Sequence, residues 1–331
     1  MPEVGIVGMG SIGTELYSSV CERRWNVRFV ANSKALYDVS KKEKICDIGE
    51  YRSQLGGLDL MFLAIPTFDD GQMAFGYIKS ALAENVPVVS CEKGALGNYF
   101  GELEAEVNQG RIGYNASVGG ETRLLDWARR RMNPKVREIH AVLNGTLNYI
   151  FDGLANGRSL GELVSEARRL GYTEPGAEDP LDIINKEAIG DVSMKASILF
   201  NSCNLVRDRM RAKNVDARAI DFNGLGRLVR DASNRRYVVS ITKESNDEDL
   251  VGGFGYSIDD WKISASFKRV DSNPLFRRLI PSGVNNAILI SEGRSGEDGS
   301  YVLSGPGAGA KPTVASMIID AEKILKIKQS S

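Results

Sequence analysis

Hydrophobic and polar positions change period several times along this chain, and each change predicts an element. Short apolar runs at residues 4–8 and 27–31 read as strands, with an amphipathic helix over 11–24 between them. Two more strands are predicted at 58–65 and 86–90, with helix-like stretches at 72–84 and 99–109. Strands that alternate with helices predict a parallel sheet with crossovers, the α/β class. Past residue 135 the order changes. A strand at 136–142 leads into helices at 148–156, 160–170 and 191–203, and strands follow at 237–243, 261–267, 287–292 and 301–304. Helices grouped ahead of clustered strands predict an α+β domain with its helices on one face of a mixed sheet. A glycine-rich run (Gly305, Pro306, Gly307, Ala308, Gly309) precedes a last helix at 313–327. The expected division is a first domain over 1–135, a second over 136–304, and a segment, 305–331, that returns to the first.

Composition agrees with two domains: 331 residues are enough for two cores without disulfides or metals. With 42 basic and 43 acidic residues the net charge is −1, so no basic excess calls for nucleic acid. No apolar run approaches the roughly 18 residues of a membrane helix. Met1 leads at once into a strand, so no leader is expected, and the expectation is a soluble cytoplasmic protein. Cys21, Cys46, Cys91 and Cys203 are scattered, with no CxxC pair, and read as reduced thiols. His140 is the only histidine, so a zinc site or a histidine triad would hang on one residue. Proton transfer is therefore expected to run through Lys, Asp, Glu, Tyr or water.

The first strand–helix junction reads Gly8, Met9, Gly10, Ser11, Ile12, Gly13, a GxGxxG in the context that makes it informative. Gly8 permits a tight turn, Gly10 lets the backbone approach a pyrophosphate, and Gly13 lets the helix pack on the sheet. The free N–H groups at the helix start then receive phosphate. The carboxylate that holds an NAD ribose is expected about 20 residues on, at the end of the second strand. That end reads Ala31, Asn32, Ser33, Lys34, with no acid until Asp38. A hydroxyl and an ammonium in place of a carboxylate favour NADP, with NAD still open through Asn32.

Six segments, in order, resemble the homoserine dehydrogenase family. Beside the glycine loop they are Glu92, Lys93, Gly94, similar to the family's Asn-Lys-Gly; Ser117, Val118, Gly119, Gly120; and Asn144, Gly145, Thr146, Leu147, Asn148, Tyr149. Gly171, Tyr172, Thr173, Glu174, Pro175 and the run Gly307 to Thr313 complete the set. The resemblance implies a Rossmann-type nucleotide domain joined to a catalytic domain that also pairs two subunits into a homodimer. It implies reversible reduction of L-aspartate 4-semialdehyde to L-homoserine with NAD(P), in threonine, isoleucine and methionine biosynthesis. It also implies a monofunctional chain, since too little follows Gly309 for a regulatory domain.

By residue, the resemblance implies Lys195 as proton carrier, with Lys93 as a second catalytic lysine reaching substrate and nicotinamide. Asp191 and Glu174 would bind the substrate's amino group. Cofactor contacts would extend from the glycine loop to Thr14, Ser33, Lys34, Thr67, Lys93 and Gly309. Backbone carbonyls of Asn115, Val118, Gly120 and Thr122 would hold a sodium ion. Lys195 lies four residues past Asp191, so on a helix both project from one face. Most pairs at that spacing are solvated surface pairs.

There are departures from the family pattern. Extra residues between Glu174 and the Asp-x-x-x-Lys element leave a rival register, Asp182 with Lys186, before a stretch, Glu187 to Gly190, that reads as a loop. Glu121 and Thr122 stand where the family has an apolar residue and Pro, and Asn115 replaces a common Glu. Two other readings stand beside the family one: a different two-domain Rossmann oxidoreductase, and a nucleotide sensor without turnover.

Overall fold

Val4, Gly5, Ile6 and Val7 are buried in succession, so β1 (Glu3–Val7) is covered on both faces, as a central strand of a parallel sheet must be. The computed structural model describes residues 1–173, 179–244, 256–307 and 309–330. Around β1 are β2 (Asn26–Ala31), β3 (Ala35–Asp38), β4 (Glu43–Asp47), β5 (Leu60–Leu63), β6 (Val88–Ser90) and β7 (Ile112–Gly113). Their order is β4-β3-β2-β1-β5-β6-β7. The five strands from β2 to β7 pair in parallel, whereas β3 and β4 are antiparallel, which the alternating pattern did not predict. The cause is local. Asn32 Oδ1 accepts from the amides of Lys34 and Ala35 at 2.8 and 3.0 Å, a side-chain turn that reverses the chain before a crossover helix can form.

The chain divides into two compact units, Met1–Glu121 with Gly309–Ser331, and Thr122–Ala308. The first cut falls ahead of residue 135, because the helix Leu124–Arg131 packs with second-unit elements. The second falls after the last strand, which runs through Gly305 and Pro306. In unit 1 the helix Ala310–Ser330 lays Val314, Met317, Ile318 and Ala321 into one cluster with Leu16 and Val20 of the helix Ser11–Glu22. Buried Asp320 of that last helix takes the backbone and side-chain N–H groups of Asn115, each at 2.9 Å.

Unit 2 holds β8 (Val136–Val142), β9 (Asp216–Ala217), β10 (Arg235–Lys243), β11 (Tyr256–Ile258), β12 (Trp261–Arg269), β13 (Asn285–Glu292) and β14 (Gly299–Pro306). The order β11-β12-β10-β8-β13-β14 is antiparallel, with β9 parallel to β12, so the sheet is mixed. The helix Gly145–Ala155 packs on the face that carries Tyr237 and Phe267, where Phe151 meets Phe267 at 4.4 Å between ring centroids. The opposite face is topped by the single turn Phe276–Leu279, over Val142, Val238 and Leu289. Residues 187–190 are not a loop. Helix Pro180–Asn185, a π-helical stretch Lys186–Asp191 and helix Val192–Ser202 follow without a break, and Glu187 and Ala188 are buried.

His140 lies on the second face, 2% exposed, with Nδ1 2.9 Å from Ser240 Oγ and Nε2 2.8 Å from Glu138 Oε2. Burial pulls its pKa below 6.5 even though Glu138 opposes the shift; the nearby Lys268 ammonium adds to it, and burial brings that lysine down to about 8. The unfolded chain therefore takes up a proton near pH 6.5 that the native fold refuses. The His140 contribution to the stability of unit 2 is full above that pH and declines as pH falls below it. Burial raises the Glu138 carboxyl, but hydrogen bonds from His140 and the Ser295 amide outweigh it and hold it below 4.5, adding a further loss at lower pH. A His140→Gln variant is expected to show a shallower fall of Tm with acidification below about pH 6.5 than the parent. Parallel slopes in thermal melts would remove His140 as the cause.

Candidate active site

In unit 1 the chain ends of the parallel strands present the predicted nucleotide residues. Gly8 has φ +100°, and a Cβ there would stand 2.3 Å from the Ala64 carbonyl oxygen. A Cβ on Gly13 would stand 1.8 Å from the Gly8 carbonyl oxygen. Both glycines are demanded by the fold. Gly10 is different: it has an ordinary negative φ, and nothing lies within 4 Å of where its Cβ would be. Ser11, Ile12 and Thr14 open a helix whose start no side chain caps, so its N–H groups face outward. Open space over uncapped N–H groups suits a pyrophosphate.

Ser33 and Lys34 are exposed just past β2, as a 2′-phosphate contact requires. Asn32 Oδ1 is taken by its turn, and Asp38 Oδ1 accepts from the Ser40 amide and hydroxyl and the Lys41 amide. Glu92 is the unit's unexpected residue. It is 2% exposed and its carboxylate accepts from Thr67 Oγ1 at 2.6 Å, from the Gly94 amide at 2.6 Å and from the Ala95 amide at 2.8 Å. It thereby caps the helix Gly94–Asn108, which starts five residues before the predicted 99, and sets Lys93 at its N-cap. Thr67, a predicted cofactor contact, gives its hydroxyl proton to this cap. Gly309, at φ +109°, begins the last helix and accepts from Thr313 Oγ1 at 2.9 Å. Of the four carbonyl positions predicted for sodium, Asn115, Val118 and Gly120 belong to unit 1 and Thr122 to unit 2. Among the described residues no three His, Cys, Asp or Glu side chains gather as a metal site.

In unit 2 the end of β8 meets the long helical run. Lys195 Nζ lies 2.7 Å from Asp191 Oδ2 and donates to the Leu143 carbonyl at 3.0 Å. Their side chains are 12% and 5% exposed, so this is a desolvated pair and not a surface one. Asn144 Nδ2 donates to Asp191 Oδ2 at 2.8 Å and to Glu187 Oε2 at 2.5 Å. Its Oδ1 accepts from the Leu147 amide at 2.7 Å and caps the helix Gly145–Ala155. Thr146 Oγ1 donates to the Tyr172 carbonyl at 2.5 Å, which ties the Gly-Tyr segment to the same helix start. Glu174 lies outside the described residues. The rival pair, Asp182 and Lys186, is exposed. Sequence reasoning missed Glu187 although it sits four residues before Asp191, the same spacing that singled out Lys195.

A sequence profile of the homoserine dehydrogenase family matches residues 127–321, more than half of the chain. A homoserine dehydrogenase of Pyrococcus horikoshii is 29% identical over 250 residues, 74% of this chain and 66% of that protein. An NAD(+)-dependent homoserine dehydrogenase of Pseudomonas canavaninivorans is 27% identical over 79% of this chain and 68% of its own. The chain thus spans about two thirds of the length of these relatives. Among solved structures, homoserine dehydrogenase of Thermoplasma acidophilum superposes with a TM-score of 0.72 at 19% identity, over 98% of this chain and 99% of that one. A hyperthermophilic archaeal homoserine dehydrogenase in complex with NADPH gives 0.72 at 21%, over 99% and 98%. These likenesses share the fold.

The glycine geometry separates fold from ligand. Gly8→Ala and Gly13→Ala are expected to cost roughly 1–3 kcal/mol of stability each, through strain and overlap. Gly10→Ala is expected to leave Tm unchanged and weaken dinucleotide binding, read by fluorescence titration. A Gly10→Ala protein that binds dinucleotide as tightly as the parent would show that the open space is not the pyrophosphate site.

Proposed function

The chain belongs to the homoserine dehydrogenase family of NAD(P)-dependent oxidoreductases, and from that premise we propose that it interconverts L-aspartate 4-semialdehyde and L-homoserine with Lys195 as proton carrier. The observation that carries this reading is the buried Asp191–Lys195 pair at the end of β8. An ammonium has three N–H groups; among the described residues Asp191 and the Leu143 carbonyl take two, and a third is assigned to a substrate oxygen. In reduction Lys195 gives its proton to the aldehyde oxygen, and in oxidation it takes the hydroxyl proton back. A bound nicotinamide dinucleotide supplies or accepts the hydride. Asp191 and Glu174 are assigned to the substrate's ammonium group and Lys93 to a second catalytic role, on the family pattern.

The dinucleotide is assigned to the loop from Gly8 to Gly13 with Thr14, and to Thr67, Lys93 and Gly309, with Ser33 and Lys34 on a 2′-phosphate. A sodium ion on the carbonyls of Asn115, Val118, Gly120 and Thr122 rests on the family pattern alone; carbonyl oxygens suit a hard cation. Assembly as a homodimer and a cytoplasmic location rest on the same pattern. No helix among the described residues is long and apolar enough to cross a membrane.

Lys195→Ala is expected to lower kcat by roughly 10²–10⁴, the worth of a positioned acid/base group. NADPH affinity should stay constant, and Lys186→Ala should keep parental turnover because that side chain is exposed. A crippled Lys186→Ala beside an active Lys195→Ala would reverse the register. NADP is expected to be the better cofactor by kcat/KM, and Lys34→Ala should narrow the gap. Since the Pseudomonas relative is named NAD(+)-dependent, the decisive result against this is a higher kcat/KM with NAD.

A further inference from the structure

Four side chains of unit 2 form one hydrogen-bonded line. Glu187 Oε2 takes Asn144 Nδ2 at 2.5 Å, the same nitrogen reaches Asp191 Oδ2 at 2.8 Å, and that oxygen holds Lys195 Nζ at 2.7 Å. The direction of the Asn144 amide is not ambiguous. Its Oδ1 is taken by the Leu147 N–H at 2.7 Å, so its NH₂ must face the two carboxylates. Glu187 is 3% exposed.

Helix geometry explains how three side chains spanning nine residues share one face. In an unbroken α-helix, residues 187 and 195 would diverge by about 80°. The stretch Lys186–Asp191 is π-helical, at about 4.4 residues per turn, so Glu187 trails Asp191 by about 33°. The α-helix Val192–Ser202 then carries Lys195 about 40° the other way. The two offsets nearly cancel, and Glu187, Asp191 and Lys195 fall on one line.

We infer that Glu187 is a positioning residue for Lys195, acting through Asn144 and Asp191. Its carboxylate holds one hydrogen of the Asn144 amide and so fixes the plane of that amide. The other hydrogen is then aimed at Asp191 Oδ2, which stays in the orientation that receives the Lys195 ammonium. Without Glu187 the Asn144 amide keeps its bond from the Leu147 N–H but loses the anchor on its second hydrogen, so its hold on Asp191 Oδ2 loosens. This inference rests on Lys195 being the proton carrier.

The test is a double-mutant cycle in the full-length protein, read as turnover with aspartate 4-semialdehyde and NADPH. Glu187→Gln is expected to lower kcat about 10- to 100-fold, the range of a lost charge-assisted hydrogen bond, with KM for NADPH unchanged. Added to Lys195→Ala it should lower kcat no further, because the group it positions is already gone. Glu187→Asp, which keeps the charge on a shorter arm, should recover part of the loss, and it serves in the same cycle if the Gln variant does not fold. Losses that multiply in the double variant, or a Glu187→Gln protein with parental kcat, would overturn the inference. Full turnover by Lys195→Ala alone would strike the proton-carrier assignment itself, and the single variant reads that separately.

Discussion

The buried ion pair of Asp191 and Lys195 is the interaction around which the helical half of unit 2 is arranged. Taking two charges out of water costs several kcal/mol per ion, and mutual attraction offsets this only when the remaining donors and acceptors are met. The end of β8 meets them. Leu143 supplies a carbonyl to the ammonium and Asn144 an amide to the carboxylate, in two successive residues. Asn144 also caps the next helix, so one strand end fixes the start of Gly145–Ala155 and the position of Val192–Ser202 together. The pair is thus a polar point in an apolar layer, and the layer's geometry is what keeps it satisfied.

Unit 1 meets its charges with backbone. Gly8 and Gly13 are forced by carbonyl oxygens that leave no room for a side chain, while the space around Gly10 is open. The start of Ser11–Glu22 is left uncapped, whereas the start of Gly94–Asn108 is closed by the Glu92 carboxylate. The two helix ends thus differ: one presents free N–H groups of the kind that suit an anion, and the other has them met by a carboxylate. Asn32 Oδ1 shapes the turn from β2 into β3 and Asp38 the turn from β3 into β4, and Asn32, Ser33 and Lys34 stand exposed beyond β2.

His140 shows how a residue that looks eligible for chemistry can be absorbed by structure. Its ring nitrogens are both occupied, by Ser240 and Glu138, and Phe276 meets it edge-on at 5.0 Å. That arrangement makes the sheet sensitive to acid.

Several features were legible in the residues themselves because they depend on local periodicity. The strand 136–142 was predicted at its observed bounds, and the helix after the glycine loop at its observed start, since alternation and steric need act over a few neighbours. The Asp191–Lys195 spacing was visible for the same reason. Whether that pair was solvated or buried was not, because burial is set by Leu143 and Asn144, some fifty residues away in the chain. The antiparallel edge and the Glu92 cap were hidden in side-chain-to-backbone bonds that no periodicity reports. Glu187 was hidden most deeply: Gly190 made its stretch read as a loop, and only the π turn, held where Ala188 and Glu187 are packed under tertiary contacts, brings that carboxylate into line with the lysine.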